Sequence, residues 1–200
     1  MSRACKPCDI ARSGMTRRGF LGPALAALGC SAAPWRPALA TRIDDFAMQP
    51  EAGWRFFTDR VMGGVSRGQV AFLQEANVPF ARMTGQVSTA NRGGFIQMRL
   101  DLSASPPSGS TGVRLVARGN DQRYFLHLRT TGTVLPWQYY QAGFDVTSRW
   151  NEFHLSFGAF RASGRLLRET LRPGSLTSLA VVAYGRDHDA QIDIRELGFF

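Results

Sequence analysis

Apolar residues recur at every second position in short runs along residues 41–200. Ile96, Met98 and Leu100 alternate with Gln97, Arg99 and Asp101. Tyr124, Leu126 and Leu128 face one way along their run, and Phe125, His127 and Arg129 face the other. Phe153, Leu155 and Phe157 repeat the pattern, as do Ile192 and Ile194; Val113, Leu115 and Ala117 do so with Val116 breaking the rule. A period of two puts one set of side chains in a core and the other towards solvent, which is the mark of a half-buried strand. Turn signals separate the runs: Pro106-Pro107-Ser108-Gly109, Gly119-Asn120-Asp121 and Arg172-Pro173-Gly174. Many short strands punctuated in this way predict an all-β sandwich or barrel.

Helical patterning is weak. Ser175 to Leu179 has room for one turn, and Arg161 to Leu171 carries a broken 3.6-residue pattern. No heptad, low-complexity tract or internal linker interrupts residues 41–200, so they are predicted to form one domain. The apolar end Leu197-Gly198-Phe199-Phe200 is predicted to pair as a final strand with the opening Ile43–Phe46. Trp54 and Trp150 lie in strand-like runs and are predicted in the core.

Residues 1–40 have a different character. The net charge is +9 from 24 basic and 15 acidic residues, but this segment holds six of the basic residues and one of the acidic. The remainder has 18 basic and 14 acidic residues, a charge of +4, and no basic run with interleaved aromatics. Nucleic-acid binding therefore loses its main electrostatic support. Cys5, Cys8 and Cys30 all fall in this segment, so neither a disulfide nor a thiolate metal site is available to residues 41–200. Arg17-Arg18-Gly19-Phe20-Leu21, an alanine-rich apolar stretch to Ala33 and the ending Ala38-Leu39-Ala40 make up the three parts of an export signal. The apolar run is too short for a membrane-spanning helix, which needs about 20 residues, and no transmembrane segment is expected in the mature chain. The pattern is similar to a twin-arginine signal and predicts export to the periplasm with cleavage after Ala40. Met15 stands where such a signal starts, so residues 1–14 are candidates for untranslated sequence. Cys30, after Leu28-Gly29, offers an alternative lipoprotein site, but Ala27 replaces the leucine that lipidation prefers.

Catalysis needs an activated group and a partner that orients it, and no such set can be assembled. Asp44 and Asp45 are adjacent and would point to opposite faces of a strand. His127, His154 and His188 are far apart with no metal-ligand spacing. Arg186-Asp187-His188-Asp189 reads as a solvated turn. No nucleophile elbow, phosphate loop or dinucleotide fingerprint is found. No catalytic residue, metal or cofactor is predicted.

Two glycine pairs are the strongest local signals. Asp59-Arg60-Val61-Met62-Gly63-Gly64-Val65-Ser66 is echoed by Asn91-Arg92-Gly93-Gly94-Phe95. Paired glycines permit positive φ and close backbone approach. The pairs are either two tight turns or two loops that meet at one end of a sandwich as a recognition surface. In the second case Asp59, Met62, Gly63, Gly64, Ser66, Asn91, Gly93, Gly94 and Phe95 would form it, with Met62 as an adaptable apolar contact. Leu135-Pro136-Trp137-Gln138-Tyr139-Tyr140 is the other candidate. On a strand Trp137 and Tyr139 would share a face, either to stack on a sugar ring or bury a partner's apolar group, or to pack in the core.

These blocks, with Asp44-Asp45-Phe46, Trp54, Phe80, Gly119–Tyr124, Gln141-Ala142-Gly143-Phe144 and Trp150–Phe160, resemble the complex I intermediate-associated protein 30 family. Asn120 and Gln122 depart from that family's G-D-G-x-x-Y turn. The resemblance implies a galactose-binding-like jelly-roll β-sandwich. It also implies a non-catalytic assembly factor whose partners are proteins, among them assembly intermediates of respiratory NADH:ubiquinone oxidoreductase. A carbohydrate-binding module is the alternative.

Overall fold

The computed structural model describes residues 41–200; the signal, lipidation and start-site expectations for residues 1–40 lie outside them. Twelve strands follow in order. They are β1 (Thr41–Asp44), β2 (Trp54–Thr58), β3 (Arg67–Glu75), β4 (Val78–Val87), β5 (Phe95–Asp101) and β6 (Gly112–Gly119). Then come β7 (Arg123–Thr130), β8 (Tyr140–Asp145), β9 (Asn151–Ser156), β10 (Arg161–Ala162), β11 (Leu176–Tyr184) and β12 (His188–Phe199). One antiparallel sheet runs β3-β4-β12-β6-β9, with β1 beside the end of β12; the other runs β10-β8-β7-β11-β5-β2. The sheets sandwich a core in which Met83, Leu115 and Ile192 from the first meet Met98, Leu126 and Val181 from the second. The fold is a jelly-roll β-sandwich; the alternation predicted a sandwich or barrel, and the resemblance implied the jelly roll.

The chain ends pair as expected, although the opening strand lies two residues earlier: Thr41 faces Phe199 and Asp44 faces Leu197. Asp44 then leaves the ladder to fix the entry. It accepts hydrogen bonds from the Phe46 amide and the Trp54 indole, both at 2.7 Å. Phe46 can thereby turn into the core with φ 59° and lie 5.5 Å from the Trp54 ring.

Three expectations are corrected. Residues Leu176–Leu179 are strand, preceded by a short 3-10 turn at Pro173–Ser175, because β11 is paired on both sides, by β5 and β7. Beyond the two residues of β10, the run to Leu171 is irregular and anchors Leu167 and Leu171 in the core without helix. Trp150 is not core. It lies on the outer face of the first sheet, between the guanidiniums of Arg118 and Arg195 at 4.5 and 4.3 Å, with Phe80 edge-on. Beside it, buried Asp193 accepts from Arg82 at 2.6 and 2.7 Å and from Arg118 at 2.8 Å. A tryptophan between two cations keeps its apolar body covered without entering the core.

Candidate functional site: the Asp59 clamp and the outer sheet face

Residues Asp59–Met62 form one 3-10 turn between β2 and β3, capped by the Thr58 hydroxyl and ended by Gly63 at φ 88°. This turn carries the Asp59 side chain inward, where it is fully buried. One carboxylate oxygen accepts the Ser66 amide at 2.9 Å; the other accepts the Ser66 hydroxyl at 2.5 Å and the Gly94 amide at 2.6 Å, with the Phe95 amide at 3.4 Å. The Ser66 hydroxyl also accepts the Ser88 amide at 2.9 Å. Burial raises the Asp59 pKa. The hydrogen bonds from the Ser66 hydroxyl and the Gly94, Ser66 and Phe95 amides outweigh it and hold the carboxyl below its ordinary value.

The same carboxylate explains a glycine in each pair. A Cβ at Gly64 or at Gly93 would overlap the Asp59 carboxylate. Gly63 and Gly94 serve the backbone, with φ 88° and 123°. The two pairs thus meet at one end of the sandwich, joined by a buried anion. The turn between β11 and β12 is tied in too: Asp187 accepts the Thr89 amide and hydroxyl at 2.6 and 2.7 Å, and the Gly185 amide donates to Gly94 at 2.8 Å.

The clamped loop offers apolar side chains to solvent beside exposed Arg60. Val61, Met62 and Val65 are 71%, 54% and 43% exposed on the clamped loop. Asn91 is exposed in the left-handed region at φ 56°, and its side chain makes no hydrogen bond among the described residues. Its role is conformational, since asparagine tolerates that region better than most residues. Asp59 and Ser66 are buried and unavailable to a partner, which leaves Met62, Gly63 and Asn91 as the exposed members of the predicted surface, with Val61 and Val65 beside Met62.

A second surface lies on the outer face of the second sheet. Central strand β11 presents small side chains there, Ser178, Ala180 and Val182, while Leu179, Val181 and Ala183 fill the core. Ser178, Ala180 and Val182 are nearly covered by side chains of the flanking strands and loops. Phe125 and His127 lie beside Val182 and Ala180 on β7, and Gln97 and Arg99 lie beside them on β5. His127 stacks on Tyr139 at 3.9 Å and 7°, with Tyr184 edge-on to His127 and Phe125. The His127 Nε2–H donates to Gln141 Oε1 at 2.9 Å. Burial pushes the imidazole pKa down to about 4, against a weaker upward pull from Gln141. Among the described residues no group of three His, Cys, Asp or Glu is arranged to hold a metal ion.

Trp137 and Tyr139 do not share a strand face. They sit in the loop before β8; Trp137 is 61% exposed, Tyr139 covers His127, and Tyr140 alone enters the core. Turn chemistry holds this loop off the ladder: the Leu135 amide donates to Gln138 Oε1 and the Arg129 guanidinium donates to the Thr133 and Leu135 carbonyls.

The family described as complex I intermediate-associated protein 30 (CIA30) matches residues 45–194, a span that contains the Asp59 clamp and both glycine pairs. The chain belongs to that family. No curated protein matches it as a relative. Among solved structures, this CIA30 domain is similar to the family 11 carbohydrate-binding module of the cellulosomal cellulase Lic26A-Cel5E of Clostridium thermocellum. The TM-score is 0.66 at 12% identity, over 80% of this chain and 94% of that one. The family 11 module from Clostridium thermocellum in complex with a β-1,3-1,4-mixed-linked tetrasaccharide matches with TM-score 0.65 and 12% identity, over 80% and 95% of the two chains. A family 30 carbohydrate-binding module of the cellulase Cel9D-Cel44B of the same organism gives 0.50 and 11%, over 66% and 82%. At such identity the likeness establishes the jelly-roll fold.

The sequence signal for the clamp was the repetition of polar residue and glycine pair. The outer face of the CIA30 domain had only a partial signal, in Phe125, His127 and Arg129 sharing one side of an alternating run. Their partners Gln97, Gln141, Tyr139 and Val182 come from other strands and loops.

Proposed function

We propose that this CIA30-family chain is an exported, non-catalytic binding protein that holds partly assembled proteins of the cell envelope through the apolar tip of the clamped loop. The observation that carries this reading is the contrast within one loop: Asp59 fixes the backbone from inside, while Val61, Met62 and Val65 stay exposed outside. A preorganised backbone lowers the ordering cost of binding, and methionine adapts to differently shaped partners. Membership of a family described by its association with complex I intermediates supports an assembly role, with respiratory assembly intermediates as the class of partner. Export through the twin-arginine-like leader makes the partner a periplasmic or membrane-bound one. The test is capture of envelope proteins by the full-length chain and by its Val61→Ser/Met62→Ser variant. Loss of the captured set in a variant with unchanged melting is the expected result. The same set at the same yield would overturn the reading.

A second reading is favoured by the His127–Tyr139 stack. The part-exposed Tyr139 ring, backed by His127 and near Gln141, suits stacking on a saccharide, and a solved structure of similar fold holds a tetrasaccharide. Oligosaccharide titration with tryptophan fluorescence checks it through exposed Trp137. A broad panel that leaves both fluorescence and heat unchanged would exclude it.

A further inference from the structure

Where β5 and β7 end and β11 begins, the outer face holds a cleft of about 250 Å³ lined by Arg99, Asp101, Arg129, Thr133, Thr177 and Ser178. Arg55 stands next to it, opposite Arg99 in the ladder. Two guanidiniums, Arg55 and Arg99, share the single carboxylate Asp101, which Arg55 already engages, and Arg129 lines the same cleft. Arg99 Nε is buried and has no hydrogen-bond partner; the nearest Asp101 oxygen is 3.5 Å away. Arg129 spends Nε and one terminal nitrogen on Thr133 and Leu135, and its other terminal nitrogen has no partner among the described residues. Neighbouring Phe57 supports the Arg99 guanidinium from beneath at 4.8 Å, so the donor fork is held in place rather than free in solvent.

We propose that this cleft binds the oxyanion substituent, carboxylate or sulfate, of an acidic saccharide, with Arg99 and Arg129 as the recognising pair and Asp101 as the residue that tunes affinity downward. The inference rests on the carbohydrate reading of the outer face and adds the class of sugar. Planar guanidinium forks match oxyanions in two-point geometry, and a partly buried pair whose one nearby carboxylate is shared with Arg55 gains more from one than an exposed pair does. Burial, together with the charges of Arg55 and Arg129, shifts the Arg99 pKa down, the direction expected where a guanidinium is desolvated beside other cations. His127 lies two residues before Arg129 on the same face of β7, and the part-exposed Tyr139 ring that covers it supplies a platform for the sugar ring. An acidic peptide is disfavoured. Strands β5, β7 and β11 are each paired on both sides, so they offer no free backbone edge for an extended chain.

Calorimetric titration of the full-length chain with trigalacturonate, a sulfated trisaccharide, cellotetraose, sodium sulfate and a glutamate-rich peptide separates the possibilities. An acidic trisaccharide should bind at least tenfold tighter than cellotetraose. Arg99→Leu should weaken it about tenfold, and Asp101→Asn should tighten it roughly threefold, a gain that a misfolded variant cannot produce. The two acidic sugars decide between carboxylate and sulfate. Equal binding of cellotetraose would overturn the acidic specificity while leaving the carbohydrate reading intact. Binding of sulfate or peptide without any sugar would overturn both. No binding by any of the five, or tighter binding that Asp101→Asn does not increase, would also overturn the assignment.

Discussion

The Asp59 carboxylate accepts the Gly94 amide at 2.6 Å across 35 residues of chain, and this one bond joins the two glycine pairs into a single structure. With three further donors on the same buried group, Asp59→Asn puts an amide where the fold supplies N–H and O–H. A loss of about 3 kcal/mol is expected, read as a lower urea midpoint at unchanged slope. The pH dependence has a definite sign. The folded pKa lies below the ordinary carboxylate value, so the contribution is complete above about pH 4 and is lost as pH falls through the folded pKa. In Asp59→Asn this part of the acid sensitivity disappears.

Gly93→Ala and Gly64→Ala each drive a methyl group into that carboxylate. Each should cost about 2–3 kcal/mol, as overpacking does in a closed site. Gly158→Ala meets nothing within 4 Å and should stay within about 0.5 kcal/mol of the parent. Thermal melts of the three variants side by side provide the check.

His127 gives a second pH signature at the other end of the carboxylate-to-imidazole range. Its folded pKa near 4 lies below the free value of 6.5, so the neutral ring is what the fold accommodates. Stability is complete above pH 6.5 and falls as pH drops from 6.5 towards 4, by roughly 3 kcal/mol over the whole window. Proton NMR should show the His127 ring still neutral at pH 5, and His127→Gln should flatten the stability profile between pH 6.5 and 4.

Asp193 holds Arg82 and Arg118 on the opposite outer face. Asp193→Ala leaves two guanidiniums without their shared anion and should destabilise by about 3 kcal/mol in chemical denaturation. The triple change Arg82→Met/Arg118→Met/Asp193→Leu removes the charges together and should fall much closer to the parent, because desolvation and attraction are lost as a set.

Much of this architecture was legible in the residues themselves. Ile96, Met98 and Leu100 or Tyr124, Leu126 and Leu128 announce a strand with one buried face wherever they occur, because side-chain direction alternates with the local backbone. The glycine pairs announced unusual backbone, and Gly63 and Gly94 have it. Trp150 shows where that legibility stops. Its alternating neighbourhood is the same on either face of a sheet, and only Arg118, Arg195 and Phe80, brought in from other strands, make an outward position apolar enough to hold it.

By itself, then, the sequence determined the strands, their inward faces and the two glycine-rich loops, because each depends on residues within a few positions of one another. Strand order and register decided the rest. They brought Asp59 within reach of Gly94, and they set Arg99, Ser178 and Arg129 from three strands around one cleft. Such juxtapositions depend on pairing between residues tens of positions apart, which no local pattern encodes and which the packing of two sheets on a common core selects.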